Sequence, residues 1–339
     1  MELSLDDPCQ LFFPGEVVMG VLRLHNIDEL IGMPPIVRVN GYTIVWKTNS
    51  KCDTEEYCSF FEDQAVMNKI LPENNNSTTS LNLPTEIYSS TYKFHFVLPD
   101  NLPPSYEVQF GHTRYKISAN FNSNTAFTYF SVGQWVGLKK RANSVDRKTS
   151  FIPSLCICWC PVVKASFHLE QTQYLPGETV YLDAVIKNNS WDDIIYSKAF
   201  IVQNTKYVKT HHIIPIKYKR TVVEETRGLI SSGHNQVWSR QPLYIPPVIP
   251  TTKKCNNPFN FFDVEYKLKI HIVMKSSKEK TLFSQRLLIG NWDDSMSCTK
   301  LNDHKKKPIQ LLQFSTDDCQ MSKLQNNDFK PKYVVYQTN

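Results

Sequence analysis

Cys156, Cys158 and Cys160 place three thiols at alternate positions of one short stretch. In an extended chain alternate side chains share a face, so the three sulfurs would project together. Zinc is usually held by four ligands, most often from Cys-x₂₋₄-Cys pairs. No fourth ligand stands at a matching spacing. Structural thiols are therefore the first reading, a metal site the second, and acylation or redox roles the remainder. Cys52 and Cys58 flank a polar stretch and read as isolated thiols. Cys255 follows Lys253 and Lys254. Neighbouring ammonium groups lower a thiol's pKa and raise its reactivity, so Cys255 is the redox candidate. His211 and His212 are adjacent, as are Glu224 and Glu225. Neighbours on a strand point to opposite faces, which defeats both chelation and paired acid–base work. The chain has no Gly-x-Ser-x-Gly, no phosphate-binding Gly-rich loop and no His-Glu-x-x-His. The chemistry expected is binding by a protein that is not an enzyme and carries no cofactor or metal.

Lys and Arg number 38 against 32 Asp and Glu, a formal net charge of +6. The basic residues fall in short clusters at Lys139–Arg141, Lys217–Arg220 and Lys305–Lys307. A nucleic-acid binder would mass them on one face, so nucleic acid is not an expected partner. Each cluster reads first as a solvated loop or turn. The sharper reading makes Lys217, Lys219 and Arg220 an anionic-surface candidate, attracted to lipid headgroups or phosphorylated partner tails. Met1–Asp7 is acidic without an apolar core, and no window approaches the roughly 18 apolar residues of a membrane span. Nine cysteines, an odd number, read as reduced cytosolic thiols. The sequons at Asn75, Asn76 and Asn188 would then stay unmodified.

These residues need elements to position them, and the chain provides the same element twice. Phe13-Pro14-Gly15-Glu16-Val17-Val18 runs on to Leu24-His25-Asn26, and Leu175-Pro176-Gly177-Glu178-Thr179-Val180 to Ile186-Lys187-Asn188. Leu102-Pro103-Pro104 leads to Tyr115-Lys116-Ile117, and Ile245-Pro246-Pro247 to Tyr266-Lys267-Leu268. The spacing is far beyond solenoid periods of roughly 20–50 residues, so it marks a duplicated domain. A length of 339 residues suits two domains. Each Pro-Gly supplies a turn, and period-two alternation follows it. Further strands are predicted at Val37–Trp46, Tyr92–Leu98, Thr113–Phe121, Ile195–Val202, Val264–Val273 and Thr281–Ile289. One short helix is read at Glu55–Lys69, and Pro72–Pro84 reads as a polar, mobile loop. The fold class is all-β: two tandem antiparallel β-sandwich domains at 1–137 and 162–292, an interdomain linker at 138–161, and a flexible tail at 293–339.

Several of these motifs together resemble the arrestins, specifically the α-arrestin (arrestin domain-containing) branch. Phe13–Gly20 reads Phe-Pro-Gly-Glu-x-Val-x-Gly, and Gly41–Trp46 resembles the family's Gly-x-x-x-x-Trp strand. Leu102–Glu107 resembles its Leu-Pro-x-Ser-Phe-Glu, followed by Gly111–Tyr115 like its Gly-x-x-Arg-Tyr. Cys156–Cys160, Tyr174–Glu178, Asn188–Ser190, Trp238, Leu243–Pro247 and Leu288–Gly290 carry the likeness through the second half. The resemblance implies a non-catalytic cytosolic adaptor in endocytosis, sorting and ubiquitin-linked trafficking, recruited to plasma membrane or endosomes by membrane-protein cargo tails. Relatives that recruit HECT-type ubiquitin ligases carry Pro-Pro-x-Tyr in the tail, for WW domains that dock polyproline-II segments. Here the tail keeps only Pro331-x-Tyr333, and the complete string is Pro103-Pro104-Ser105-Tyr106 inside a fold-defining segment. Pro103, Pro104, Tyr106, Pro331 and Tyr333 are the partner-binding candidates, with the structural reading first for Pro103–Tyr106. One relative binds thioredoxin through a cysteine in a segment similar to that of Cys255, which makes a redox regulator the alternative function. A retromer-like coat subunit on the same fold is another. Glu170-Gln171-Thr172 stands near where many relatives carry Asp-Arg, so phosphate-triggered activation is not expected.

Overall fold

Alternation in the residues after Pro14-Gly15 becomes alternation in burial. Val18, Leu22 and Leu24 are buried, while Val17 and Met19 face solvent. The computed structural model describes residues 1–25, 34–49, 52–70, 90–138, 144–151, 162–207, 217–252, 259, 261–290, 292–293, 312–313 and 329–336. Among these there are strands and no helix. They divide into two units, one built on Met1–Gln134 and the other beginning at Trp135.

The first unit contains β1 (Glu2–Leu5), β2 (Leu11–Phe12), β3 (Val17–Leu24), β4 (Ile36–Asn49), β5 (Cys52–Gln64), β6 (Val66–Ile70), β7 (Ser90–Val97), β8 (Tyr106–Val108), β9 (Gly111–Phe121) and β10 (Asn124–Val132). They form one sheet ordered β1-β3-β7-β6 and another ordered β2-β10-β9-β4-β5, with β8 on β9. Val18, Leu22, Phe94 and Phe96 from the first sheet meet Val39, Tyr115, Ile117 and Phe130 from the second in one core.

The second unit contains β11 (Gly137–Leu138), β12 (Val145–Phe151), β13 (Val163–Leu169), β14 (Gln173–Tyr174), β15 (Thr179–Asn188), β16 (Ile194–Tyr207), β17 (Lys217–Arg227), β18 (Asn235–Tyr244), β19 (Phe262–Met274), β20 (Lys280–Ile289) and β21 (Trp292–Asp293). Its sheets are ordered β12-β13-β15-β18 and β14-β20-β19-β16-β17. The second of these repeats the first unit's β2-β10-β9-β4-β5 strand for strand.

The duplication extends to single hydrogen bonds. Gly15 and Gly177 both adopt left-handed backbone, with φ of 84° and 96°, a conformation that costs glycine least. The glutamate after each accepts a bond from the turn's first residue: Phe13 N donates to Glu16 Oε2 at 2.9 Å and Leu175 N to Glu178 Oε2 at 2.8 Å. Tyr115 Oη donates to Pro103 O at 2.5 Å, and Tyr266 Oη to Ile249 O at 2.6 Å. Both rings are fully buried, so removing either hydroxyl strands a carbonyl. Tyr115→Phe and Tyr266→Phe should each cost about 1–3 kcal/mol, read from urea denaturation. Unchanged stability would mean that the carbonyl has found another partner.

Three expectations need correction. The helix read at Glu55–Lys69 is strand: β5 pairs with β4 along its length and β6 pairs with β7. Pairing with a neighbour distant in sequence overrides a weak local preference. Part of the presumed linker is structured too, since Val145–Phe151 pairs with Val163–Leu169 as an edge of the second unit's sheet. That strand is held by backbone bonds and has little apolar patterning, so its sequence does not announce it. The last described segment, 329–336, is packed: Tyr333, Val334 and Val335 are buried. The expected loop at 72–84 lies outside the described residues.

Candidate functional site

β16 runs through the second unit's five-stranded sheet with β17 on one side and β19 on the other. Ser197, Ala199, Ile201, Gln203 and Thr205 turn to the core and are buried. Period-two alternation sends Lys198, Phe200, Asn204 and Lys206 to the opposite face. Pairing then gathers basic residues there. Phe200 stands opposite Glu224 and Lys269, Asn204 opposite Lys219, Val202 opposite Lys267, and Lys206 opposite Lys217.

Lysine stems close over Phe200, which is 4% exposed. Lys198 Nζ lies 5.3 Å and Lys219 Nζ 5.7 Å from its ring centre, and His271 meets the ring edge-on at 4.6 Å. Two acids answer part of the charge: Glu224 Oε2 lies 2.5 Å from Lys198 Nζ, and Glu279 Oε1 2.8 Å from His271 Nδ1. The hydrogen bond from His271 holds the Glu279 carboxyl below its ordinary range. Among the described residues Lys219, Lys267 and Lys269 form no ion pair. Burial pushes the Lys269 ammonium down, and the charges of Lys219 and Lys267 push it further. Like charges answered only in part, by Glu279, raise the local potential. An anion over this face would relieve the repulsion, so the arrangement can bind one.

Of the sequence candidates, Lys217 and Lys219 are exposed on this face. Arg220 stands opposite the core-facing Gln203 and belongs to the other side of the sheet. Lys198, Lys267 and Lys269 were missed because they come from other strands. The period-two pair Lys267 and Lys269 was the available signal. Glu224 and Glu225 also divide between faces, opposite Phe200 and Ala199.

In the first unit, Pro103, Pro104 and Tyr106 are buried, and Ser105 is fully enclosed. Ser105 N donates to Val132 O at 2.7 Å, and Val132 N donates to Ser105 Oγ at 2.9 Å. A WW domain could dock there only after the segment left the sandwich. Next to it, Arg114 grips Glu107 with both ends of its fork, Nε to Oε1 at 2.6 Å and Nη2 to Oε2 at 3.1 Å. Burial pushes the Glu107 carboxyl up, against the pull of Arg114. Burial works against the Arg114 charge as well, but Glu107 outweighs it and raises the guanidinium's pKa. The rings of Tyr129 and Phe329 each lie 5.8 Å from the guanidinium carbon, and Lys332 N donates to Ser131 Oγ at 2.9 Å.

Pro331 and Tyr333 are buried rather than presented to solvent. In the second unit, Tyr336 N donates to Pro176 O at 2.9 Å. A Cβ on Gly177 would fall 1.9 Å from Tyr336 O, so Gly177 admits the tail backbone as well as making its turn. Cys255, the three cysteines at 156, 158 and 160, and His211–His212 lie outside the described residues. Among the described residues no group of three or more His, Cys, Asp and Glu side chains could hold a metal ion. No described helix is long and apolar enough to cross a membrane.

Residues 1–134 match the arrestin (or S-antigen) N-terminal domain, and residues 161–291 match its C-terminal domain. The chain belongs to the arrestin family. Its likeness to arrestin domain-containing protein 17 of Caenorhabditis elegans is 22% identity over 293 residues, covering 80% of this chain and 66% of that relative. The chain therefore spans just under two thirds of the relative's length.

Proposed function

We propose that this arrestin is a non-catalytic adaptor that binds membrane-protein cargo tails for endocytosis, sorting and ubiquitin-linked trafficking. It would work from the cytosol, with recruitment to plasma membrane or endosomes. The observation that carries the reading is the basic face of the second unit, where Lys219, Lys267 and Lys269 crowd together and, among the described residues, form no ion pair. An excess of one charge on a folded domain, here offset only in part by Glu279, steers and holds an oppositely charged partner. Headgroup attraction would add to this only at close approach, within a Debye length of about 8 Å. Any HECT-type ligase would dock outside Pro103–Tyr106 as folded.

The test is surface proteomics on cells depleted of the chain. Depletion should raise the surface level of a subset of membrane proteins, and wild-type chain should reverse it. A folded Lys219→Glu/Lys267→Glu/Lys269→Glu variant should fail to do so. A surface proteome that ignores depletion overturns the adaptor reading, and rescue by the variant overturns the role of the basic face. Titration with HECT-ligase WW domains should show no binding through Tyr106, so that Tyr106→Ala in a folded chain changes nothing.

A further inference from the structure

The second unit's other sheet, β12-β13-β15-β18, turns a groove of about 700 Å³ to solvent. Register sets its outward side chains in rows. Asp146, His168 and Asp183 form the first row. Lys148, Ser166, Val185 and Val237 form the second, and Ser150, Lys164, Lys187 and Asn235 the third. The outer rows carry opposite charge. Asp146 and Asp183 flank one imidazole: His168 Nδ1 lies 2.7 Å from Asp146 Oδ1, and Asp183 Oδ1 accepts from Arg240 N at 2.7 Å. The Arg240 guanidinium is turned elsewhere, to Glu170 at 2.9 Å and over the Tyr181 ring. Lys164 and Lys187 stand directly opposite each other, an unfavourable pairing of like charges. Among the described residues neither they nor Lys148 forms an ion pair. Between the charged rows, Val185 and the 57% exposed Val237 make an apolar floor. We propose that this groove docks an extended segment of a partner protein that carries a basic and an acidic residue four positions apart, with an apolar residue midway.

Spacing selects an extended segment. Successive rows lie two residues apart along each strand, roughly 7 Å, which puts the two charged rows roughly 13 Å apart. A chain laid extended along the strands repeats that spacing, so its alternate side chains fall on successive rows. Its basic residue meets Asp146 and Asp183, its apolar residue the two valines, and its acidic residue the crowded Lys164 and Lys187. A helix rises only about 1.5 Å per residue, so residues four apart on it cannot reach both charged rows. A segment of a single charge meets repulsion at one row, and that repulsion supplies the selectivity. The contact rests on a few side chains, so it is weak and sensitive to salt. It stands apart from the adaptor reading, since Lys219, Lys267 and Lys269 belong to the unit's other sheet.

Fluorescence anisotropy on the full chain tests it, with the labelled probe Gly-Ser-Lys-Thr-Val-Thr-Glu-Ser-Gly. The wild type should bind it about tenfold more tightly than Gly-Ser-Thr-Lys-Val-Glu-Thr-Ser-Gly, which has the same residues with both charges moved off the charged rows. Lys164→Glu/Lys187→Glu should lose about tenfold in affinity for the probe. It should recover that loss with Gly-Ser-Lys-Thr-Val-Thr-Lys-Ser-Gly, whose second lysine meets the new carboxylates. Damage to folding cannot produce that recovery. The Lys219→Glu/Lys267→Glu/Lys269→Glu variant should bind the first probe as the wild type does and gain nothing for the double-lysine probe, which separates this groove from the basic face and from overall charge. A wild type that does not bind the first probe overturns the proposal, as does equal binding of the rearranged peptide. Failure of Lys164→Glu/Lys187→Glu to recover overturns it too, and so does a gain in the triple variant.

Discussion

Glu107→Ala should destabilise the first unit by about 2–4 kcal/mol, and Arg114→Ala by a similar amount. Either change leaves one ion of a largely buried pair without its partner, a loss of roughly 3–5 kcal/mol in a fully dry setting. The side chains keep 15% and 19% of their exposure, which lets water soften the loss. The informative variant is the double change Glu107→Leu/Arg114→Met. It removes both charges and keeps apolar volume against the Tyr129 and Phe329 rings, so it should cost less than either single change. Urea denaturation followed by intrinsic fluorescence reads all three. If the double variant is as damaged as the sum of the singles, the pair acts through something other than mutual charge compensation.

Asn188→Ala should cost the second unit about 2–4 kcal/mol, from several hydrogen bonds lost at a buried site. The Asn188 side chain is fully buried and ties two loops together. Its Nδ2 donates to Asp192 O at 2.8 Å and to Ile230 O at 3.0 Å, and its Oδ1 accepts from Ser190 N at 3.2 Å and Ser190 Oγ at 2.5 Å. Alanine removes this donor, leaving Asp192 O with Ser190 Oγ and Ile230 O with Ile194 N. Asp192 and Asp193 extend the same knot, through Ser276 and Ser232. The unit's thermal transition should therefore fall, and amide exchange should quicken first at Ser190 and Ser232, where local opening needs the least. Exchange that quickens uniformly would place the loss in the core instead. The buried amide also shields the Asn188 sequon once the unit has folded.

The two turns were legible because their chemistry is local. Pro-Gly-Glu carries in three residues the left-handed glycine, the fixed φ before it and the carboxylate that caps the turn, and both copies form it with matching bonds. The strands at Val37–Trp46, Thr113–Phe121 and Val264–Val273 were legible for a related reason. Their alternation is the burial pattern itself, as β9 and β19 show. Val145–Phe151 was not, because an edge strand held by backbone bonds needs no apolar alternation. Glu55–Lys69 misled because its charged residues suit a helix in isolation, while pairing with β4 makes it a strand.

Sequence alone therefore established duplication, all-β class and the family likeness, each resting on residues near one another in the chain. Tertiary structure decided which groups share a surface. Lys198, Lys219, Lys267 and Lys269 meet only because β16, β17 and β19 pair in one register, while Arg220, adjacent to Lys219 in sequence, goes to the other face. It also decided that Pro103–Tyr106 and Pro331–Tyr333, alike as docking strings on paper, are both packed away. Register and burial are sums over partners far apart in sequence, so no short motif can report them.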